Sequence, residues 1–158
     1  MRQTLSILVE KGSSELARIV GLFSVGGYNI ESLTVAESLE PQFSRVTLVT
    51  NAEPCVSEEI VKRLENQVGV LSVVNLSLTN HIEREMALLH VKTTSPGDRS
   101  EIVKLAEIFE AKVIAAARET LTVQAVAERE RLKELLELLQ SFGICEIARA
   151  GTLAIGKM

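Results

Sequence analysis

Imidazole and thiol groups are scarce in this chain of 158 residues, which holds two histidines and two cysteines. His81 and His90 are nine apart, one in a polar connection and one in a strand pattern. That is the spacing of surface or interface histidines, not of a metal pair. Cys55 and Cys145 form no CxxC pattern, and each lies beside apolar residues, so both are expected to be buried free thiols. Glu83-Arg84-Glu85 sets two carboxylates around a cation, and Glu128-Arg129-Glu130-Arg131 opens a mixed-charge helix. Both read as solvated faces with ordinary pairing three and four residues apart. No GxxxxGK[ST], no GxGxxG after a strand, no GxSxG and no HExxH occurs. No residues assemble a nucleophile, a base and an oxyanion site.

One segment has binding physics. A strand runs into Lys11-Gly12-Ser13-Ser14-Glu15-Leu16, where a helix begins. The first turn of a helix leaves main-chain N–H groups without partners, and the helix dipole adds partial positive charge. A carboxylate is a natural guest there. Lys11 can add a charge, and Glu15 opposes it. Asn29 opens an otherwise apolar strand with Ile30 and offers both a donor and an acceptor. Plain capping by Ser13 or Ser14, with Asn29 as a turn residue after Gly26-Gly27, accounts for the same residues from spacing alone.

The elements that position these residues come twice. Residues 4–10 read as a strand. Leu16, Ile19, Val20 and Phe23 mark one face of a helix that Gly26-Gly27 ends. Strands follow at 28–37 and 44–50, Pro54 and Ser57 open a helix with Val56, Ile60, Val61 and Leu64 on its buried side, and a strand spans 70–78. After a polar linker at 79–85 the order repeats: strand 86–94, a helix capped by Asp98, strands 113–117 and 120–126, helix 128–140 and strand 145–150. This is the strand–helix–strand–strand–helix–strand unit of ferredoxin-like folds. The predicted fold class is α+β, with two ferredoxin-like βαββαβ domains in tandem at 1–79 and 80–158. A unit of this size is marginal alone. Its first strand is apolar on both faces, with Leu5, Ile7 and Val9 on one and Leu8 on the other, so a second copy is expected to cover the free face or edge.

Composition narrows the function classes. Charges sum to 17 − 21 = −4, which gives no global attraction to nucleic acid or anionic membrane. Aromatic residues are 3%, too few for a base-stacking surface. No apolar run reaches membrane length, and the N-terminal stretch is too short for a leader, so a soluble cytoplasmic protein is expected.

The stretch Gly27-Tyr28-Asn29-Ile30-Glu31-Ser32-Leu33-Thr34-Val35 resembles the small, regulatory subunit of acetolactate synthase (acetohydroxyacid synthase). So do Leu16-Ala17-Arg18-Ile19-Val20-Gly21-Leu22-Phe23, Ser44-Arg45-Val46-Thr47, Ile82-Glu83-Arg84-Glu85-Met86-Ala87-Leu88, Glu107-Ile108-Phe109 and Glu146-Ile147-Ala148-Arg149, in that order. The resemblance implies an N-terminal ACT domain and a C-terminal domain of similar build. It implies a non-catalytic chain that binds and activates a large catalytic subunit in branched-chain amino acid biosynthesis. Thiamine diphosphate, FAD and Mg would sit on that partner and no cofactor on this chain. It also implies feedback inhibition by valine, or by leucine or isoleucine. The effector would lie between ACT domains of a homodimer, with Lys11, Gly12, Ser13, Ser14, Glu15 and Leu16 from one protomer and Asn29 and Ile30 from the other.

Such loops usually carry Asn at position 11 and Gly at position 14, where this chain has Lys11 and Ser14. Glycine lets main chain approach a ligand closely, so altered or weakened effector binding is expected here. Glu110-Ala111 replaces the usual Arg-Gly. The alternatives are a stand-alone ACT-type sensor with another partner and a small ferredoxin-like enzyme, the latter opposed by the missing catalytic constellation.

Overall fold

The computed structural model describes residues 1–158, apart from the side chain of Ser13. The chain divides into one unit of residues 1–82 with 152–158 and a second of residues 83–151. Each has helices against one face of an antiparallel sheet.

In the first unit, β1 (Arg2–Glu10), α1 (Ser13–Gly26), β2 (Ile30–Glu37), β3 (Phe43–Asn51), α2 (Pro54–Glu65) and β4 (Val70–Asn75) follow in order. The sheet runs β2-β3-β1-β4. Leu5, Ile7 and Val9 alternate along β1 and pair in register with Leu48, Val46 and Phe43's neighbour Ser44 on β3. Their side chains meet Ile19 and Phe23 of α1 and Ile60 and Leu64 of α2 in one buried cluster. Truncating Phe23 there would cost about 3–5 kcal/mol, because a large cavity replaces well-packed contacts. Gly27 takes φ 68° and ends α1 with Tyr28 N–H donating to Phe23 O at 2.9 Å. Only a residue free of Cβ strain takes that turn cheaply.

The second unit holds β5 (His81–Lys92, whose first two residues belong to the first unit), α3 (Pro96–Ile108), β6 (Lys112–Ala116), β7 (Thr120–Ala127), α4 (Arg129–Gln140) and β8 (Ile144–Arg149). The strand order β6-β7-β5-β8 repeats that of the first sheet. Ala87, Leu89 and Val91 face Ile102 of α3 and Leu132, Leu135 and Leu139 of α4. Glu85 is nearly buried at this end of β5 and pairs with Arg149 of β8. The doubled ferredoxin-like reading therefore holds element by element.

Several details differ from the sequence expectations. The chain adds β9 (Leu153–Gly156), which pairs with β5, and Lys157 N–H donates to Asn80 O at 2.8 Å. Thr152 receives a hydrogen bond from Arg2 and its N–H donates to Ser32 Oγ, so residues 152–158 cluster with the first unit. The stretch 79–85 is not a free linker: strand pairing with β7 and β9 draws it into β5. Strand 70–78 stops at Asn75, whose Oδ1 accepts Ser77 N–H and turns residues 76–78 into a 3-10 helix. Tyr28 and Asn29 precede β2 because the Gly27 turn still occupies Tyr28 N–H. The second face of β1 is largely polar, with Thr4 and Ser6 beside Leu8 and with Arg45 Nη1 donating to Ser6 Oγ at 2.9 Å.

Both cysteines are free and exposed, contrary to expectation. Cys55 lies in the first turn of α2, where Ser57, Ile60 and Leu64 take the inward positions. Cys145 is the extra residue where the β5–β8 register shifts between His90 and Val91. A bulge of this kind breaks the in–out alternation that apolar flanks suggest. Glu31, Leu71 and Ile114 occupy the matching places on β2, β4 and β6, so each of the four outer strands carries one bulge. Bulges bend an edge away from indiscriminate pairing.

The cap of α3 is Ser95, not Asp98. Ser95 Oγ accepts Asp98 N–H, and Asp98 Oδ2 accepts the N–H groups of Thr94 and Ser95 and the Thr94 hydroxyl, each at 2.8 Å. The Thr94 hydroxyl first, then the Ser95 N–H, lowers the Asp98 pKa from 3.8 to about 2. A depressed pKa stabilises the fold above pH 3.8, and that stabilisation is lost as pH falls through about 2. In urea unfolding across pH, Asp98→Asn should be less stable than wild type at pH 5–7, with the gap narrowing below pH 3.8 and vanishing near pH 2. At the other end of α3, Glu110 is the one non-glycine residue with positive φ among the described residues, at 56°. Ala111 N–H reaches Ala106 O at 2.7 Å and Glu110 N–H reaches Glu107 O at 3.1 Å. This is the paired C-terminal motif that favours glycine. Glu110→Gly should stabilise the protein by about 0.5–1 kcal/mol, read as a higher urea midpoint at unchanged slope.

Candidate functional site

The helix start at the end of β1 is fixed by main-chain bonds on both sides. Glu10 N–H donates to Gly69 O at 2.8 Å and Lys11 N–H donates to Gln42 O at 2.7 Å. These bonds tie the joint to the loops before β4 and before β3. Gly12 is the N-cap, extended at φ −162° and without a side chain to cap the turn. The expected cap by Ser14 is not formed, since Ser14 lies inside the first turn and its hydroxyl donates to Glu15 Oε1 at 3.0 Å. Ser13 enters the helix as its first residue, and its predicted capping lies outside the described side chains.

Glu15 is the only acidic residue in this first turn. Its carboxylate folds back over the helix start. A Cβ on Gly12 would collide with Glu15 Oε2, and a Cβ on Gly69 would lie 2.7 Å from Glu15 Cγ. Glu15 Oε2 is sealed from solvent and takes no hydrogen bond. The pKa of Glu15 is held below 4.5, first by its own main-chain N–H, then by the Ser14 hydroxyl, with the Arg18 charge contributing less. Leu16 is half-buried behind it. Lys11 does not reach Glu15: its Nζ pairs with Glu37 Oε2 at the far end of β2. Both partners are about half exposed, so this bridge is worth at most about 1 kcal/mol.

Asn29 and Ile30 lie elsewhere. Asn29 is exposed, its carbonyl accepts the Thr50 hydroxyl, and Ile30 pairs with Thr50. Fourteen residues of α1 separate this point from Gly12, a length of about 20 Å. The register agrees, because Glu10 and Phe43 share one end of the sheet while Gln3 and Thr50 share the other. Within one protomer the structure thus brings Lys11, Gly12, Ser14, Glu15 and Leu16 together and leaves Asn29 and Ile30 at the opposite end. Three participants are invisible to sequence reasoning. They are Glu37, Gln42 and Gly69, and only the glycine at φ 85° leaves a trace, as a turn signal before β4.

Two family models match the chain, one described as the AHAS small subunit-like ACT domain over residues 5–72 and one as the small subunit of acetolactate synthase over residues 84–158. The acetolactate synthase small subunit of Mycobacterium leprae is 37% identical over 154 residues, covering 98% of this chain and 90% of that one. That of Aquifex aeolicus is 36% identical over 154 residues, covering 98% and 80%. The crystal structure of the small subunit from Thermotoga maritima superposes with a TM-score of 0.91 at 32% identity, over 100% of this chain and 98% of that one. The chain belongs to the acetolactate synthase small-subunit family. Residues 5–72, within its first unit, form the ACT domain of this family. Among the described residues no helix is long and apolar enough to cross a membrane.

The packing of Glu15 between two glycines gives a direct test in this small subunit. Gly12→Ala should lower the urea midpoint, since the new methyl must expel the Glu15 carboxylate. The same change in a Glu15→Ala background should leave the midpoint unchanged or raise it, as no collision remains.

Proposed function

We propose that this chain forms a homodimer, binds and activates the catalytic large subunit of acetolactate synthase, and confers feedback inhibition by a branched-chain amino acid, valine first. The observation that carries this reading is the separation of the helix start from Asn29 along α1. A site that needs both cannot close within one protomer. β2 is an outer strand of the first sheet, with Val35 exposed along it. Antiparallel pairing of β2 with the β2 of a second copy reverses its direction. The Asn29 end of one strand then meets the Glu37 end of the other, and Glu37 already holds Lys11. Two equal clefts result, as a two-fold interface requires.

In each cleft the main-chain N–H groups at Gly12 to Glu15 take the effector carboxylate, because the N-cap of α1, Gly12, supplies no side-chain cap. Asn29 and Ile30 of the second copy close the cleft, the amide binding the polar end of the amino acid and the alkyl group lining its side chain. Charge-assisted hydrogen bonds at about 1.5–3 kcal/mol each, with a similar sum for burying an isopropyl group, support micromolar to millimolar binding after ordering costs. Lys11 is drawn toward Glu37 and Ser14 stands where relatives of this type carry glycine, so binding is weaker than in such relatives. Thiamine diphosphate, FAD and Mg belong to the large subunit. A coupling of about 1–3 kcal/mol between cleft and catalytic centre is enough to change the rate severalfold.

Reconstitution tests the reading. Mixing the chain with its cognate large subunit should raise acetolactate formation, and valine should lower it again. No rise in rate would remove the activator role. Asn29→Ala should raise the inhibitory valine concentration about tenfold or more while the activation persists, since one charge-assisted hydrogen bond is lost. Sedimentation of the isolated chain should give a dimer.

A further inference from the structure

We propose that Glu15 is a built-in competitor for the effector carboxylate, its side chain filling the first turn of α1 in the place an incoming carboxylate would take. This rests on the effector reading above. An uncapped helix start has main-chain donors for an anion, and the anion already there is Glu15. Its Oε1 takes the Ser14 hydroxyl at 3.0 Å, and its Cγ and Oε2 press against positions 69 and 12. Both positions are glycine, and any Cβ at either would push the carboxylate out.

The comparison with α3 shows why this is competition and not permanent closure. There the cap is reciprocal: Ser95 and Asp98 exchange hydrogen bonds, and one carboxylate oxygen of Asp98 accepts three donors. At α1 the reciprocal half is missing, because Gly12 has no side chain. Glu15 Oε2 is sealed away and accepts nothing, which is an unfavourable state for a carboxylate oxygen. The neighbouring cations hold it only weakly, since Lys11 pairs with Glu37 and Arg18, whose charge is a minor contributor to the lowered Glu15 pKa, turns its Nη1 to Val68 O at 3.1 Å. A ligand carboxylate that engages these N–H groups lets Glu15 swing outward and regain water. Effector affinity is therefore lowered by the cost of displacing Glu15, and the threshold of feedback is set by a residue of the chain itself.

Two measurements on the full chain decide this. One is amide hydrogen exchange without ligand, and the other is calorimetric titration with valine, leucine and isoleucine, each on wild type, Glu15→Ala and Glu15→Gln. In Glu15→Ala the amides of Ser14 and Glu15 should exchange faster while Ile19–Phe23 keep their protection. At least one amino acid should bind about tenfold tighter, with Glu15→Gln in between. Unchanged exchange at Ser14 and Glu15 overturns the inference and leaves the effector reading standing. So does equal binding by Glu15→Ala when wild type binds, or weaker binding, which would make Glu15 a partner of the effector ammonium. If exchange accelerates but no chain binds any of the three amino acids, the effector reading itself fails and the competition falls with it.

Discussion

A helix of 14 residues stands between the two halves of the proposed effector site, and that rigid spacer governs the rest of the first unit. Ile19 and Phe23 lock α1 onto the sheet, so it cannot bend to bring Asn29 toward Gly12. The main-chain bonds from Glu10 to Gly69 and from Lys11 to Gln42 hold the near end, and the Gly27 turn holds the far one. A fold built this way leaves the Gly12 helix start and Asn29 at opposite ends of an outer strand. Pairing of identical outer strands is the simplest symmetric operation that joins unlike halves, which is why the proposed function is a property of the dimer and not of the chain.

The two units solve the same packing problem with different attention to their helix starts. Both place a central strand with alternating apolar residues against two helices, and both bend every outer strand with one bulge. The second unit spends side chains on a complete cap at α3 and tolerates a strained glutamate after it. The first unit puts a glycine, Gly12, at the N-cap of α1. A bare helix start costs stability, because its first N–H groups lack partners. The Glu15 carboxylate softens that cost from within.

The element order and the buried faces were legible in the sequence because apolar spacing of two and of three to four residues maps directly onto strands and helices. The family was legible in motifs spread over the whole length. Cap identity was less so. Ser95 and Asp98 three positions apart fit either as the cap, and only the dihedral angles and bond directions separate the roles. The exposure of Cys145 and the start of β5 at His81 depended on register, a relation between distant strands that no local pattern contains.

By itself, then, the sequence determined two ferredoxin-like units, a helix start at residues 11–16, and membership of the acetolactate synthase small-subunit family. Tertiary structure alone decided that Lys11 turns to Glu37, that Gly69 and Gly12 enclose Glu15, that residues 152–158 rejoin the first unit, and that Asn29 lies about 20 Å from the helix start. The physical reason is the same in each case. Periodicity along a chain encodes which face of an element is buried, whereas the meeting of residues far apart in sequence is set by how the elements pair and by the space left between them.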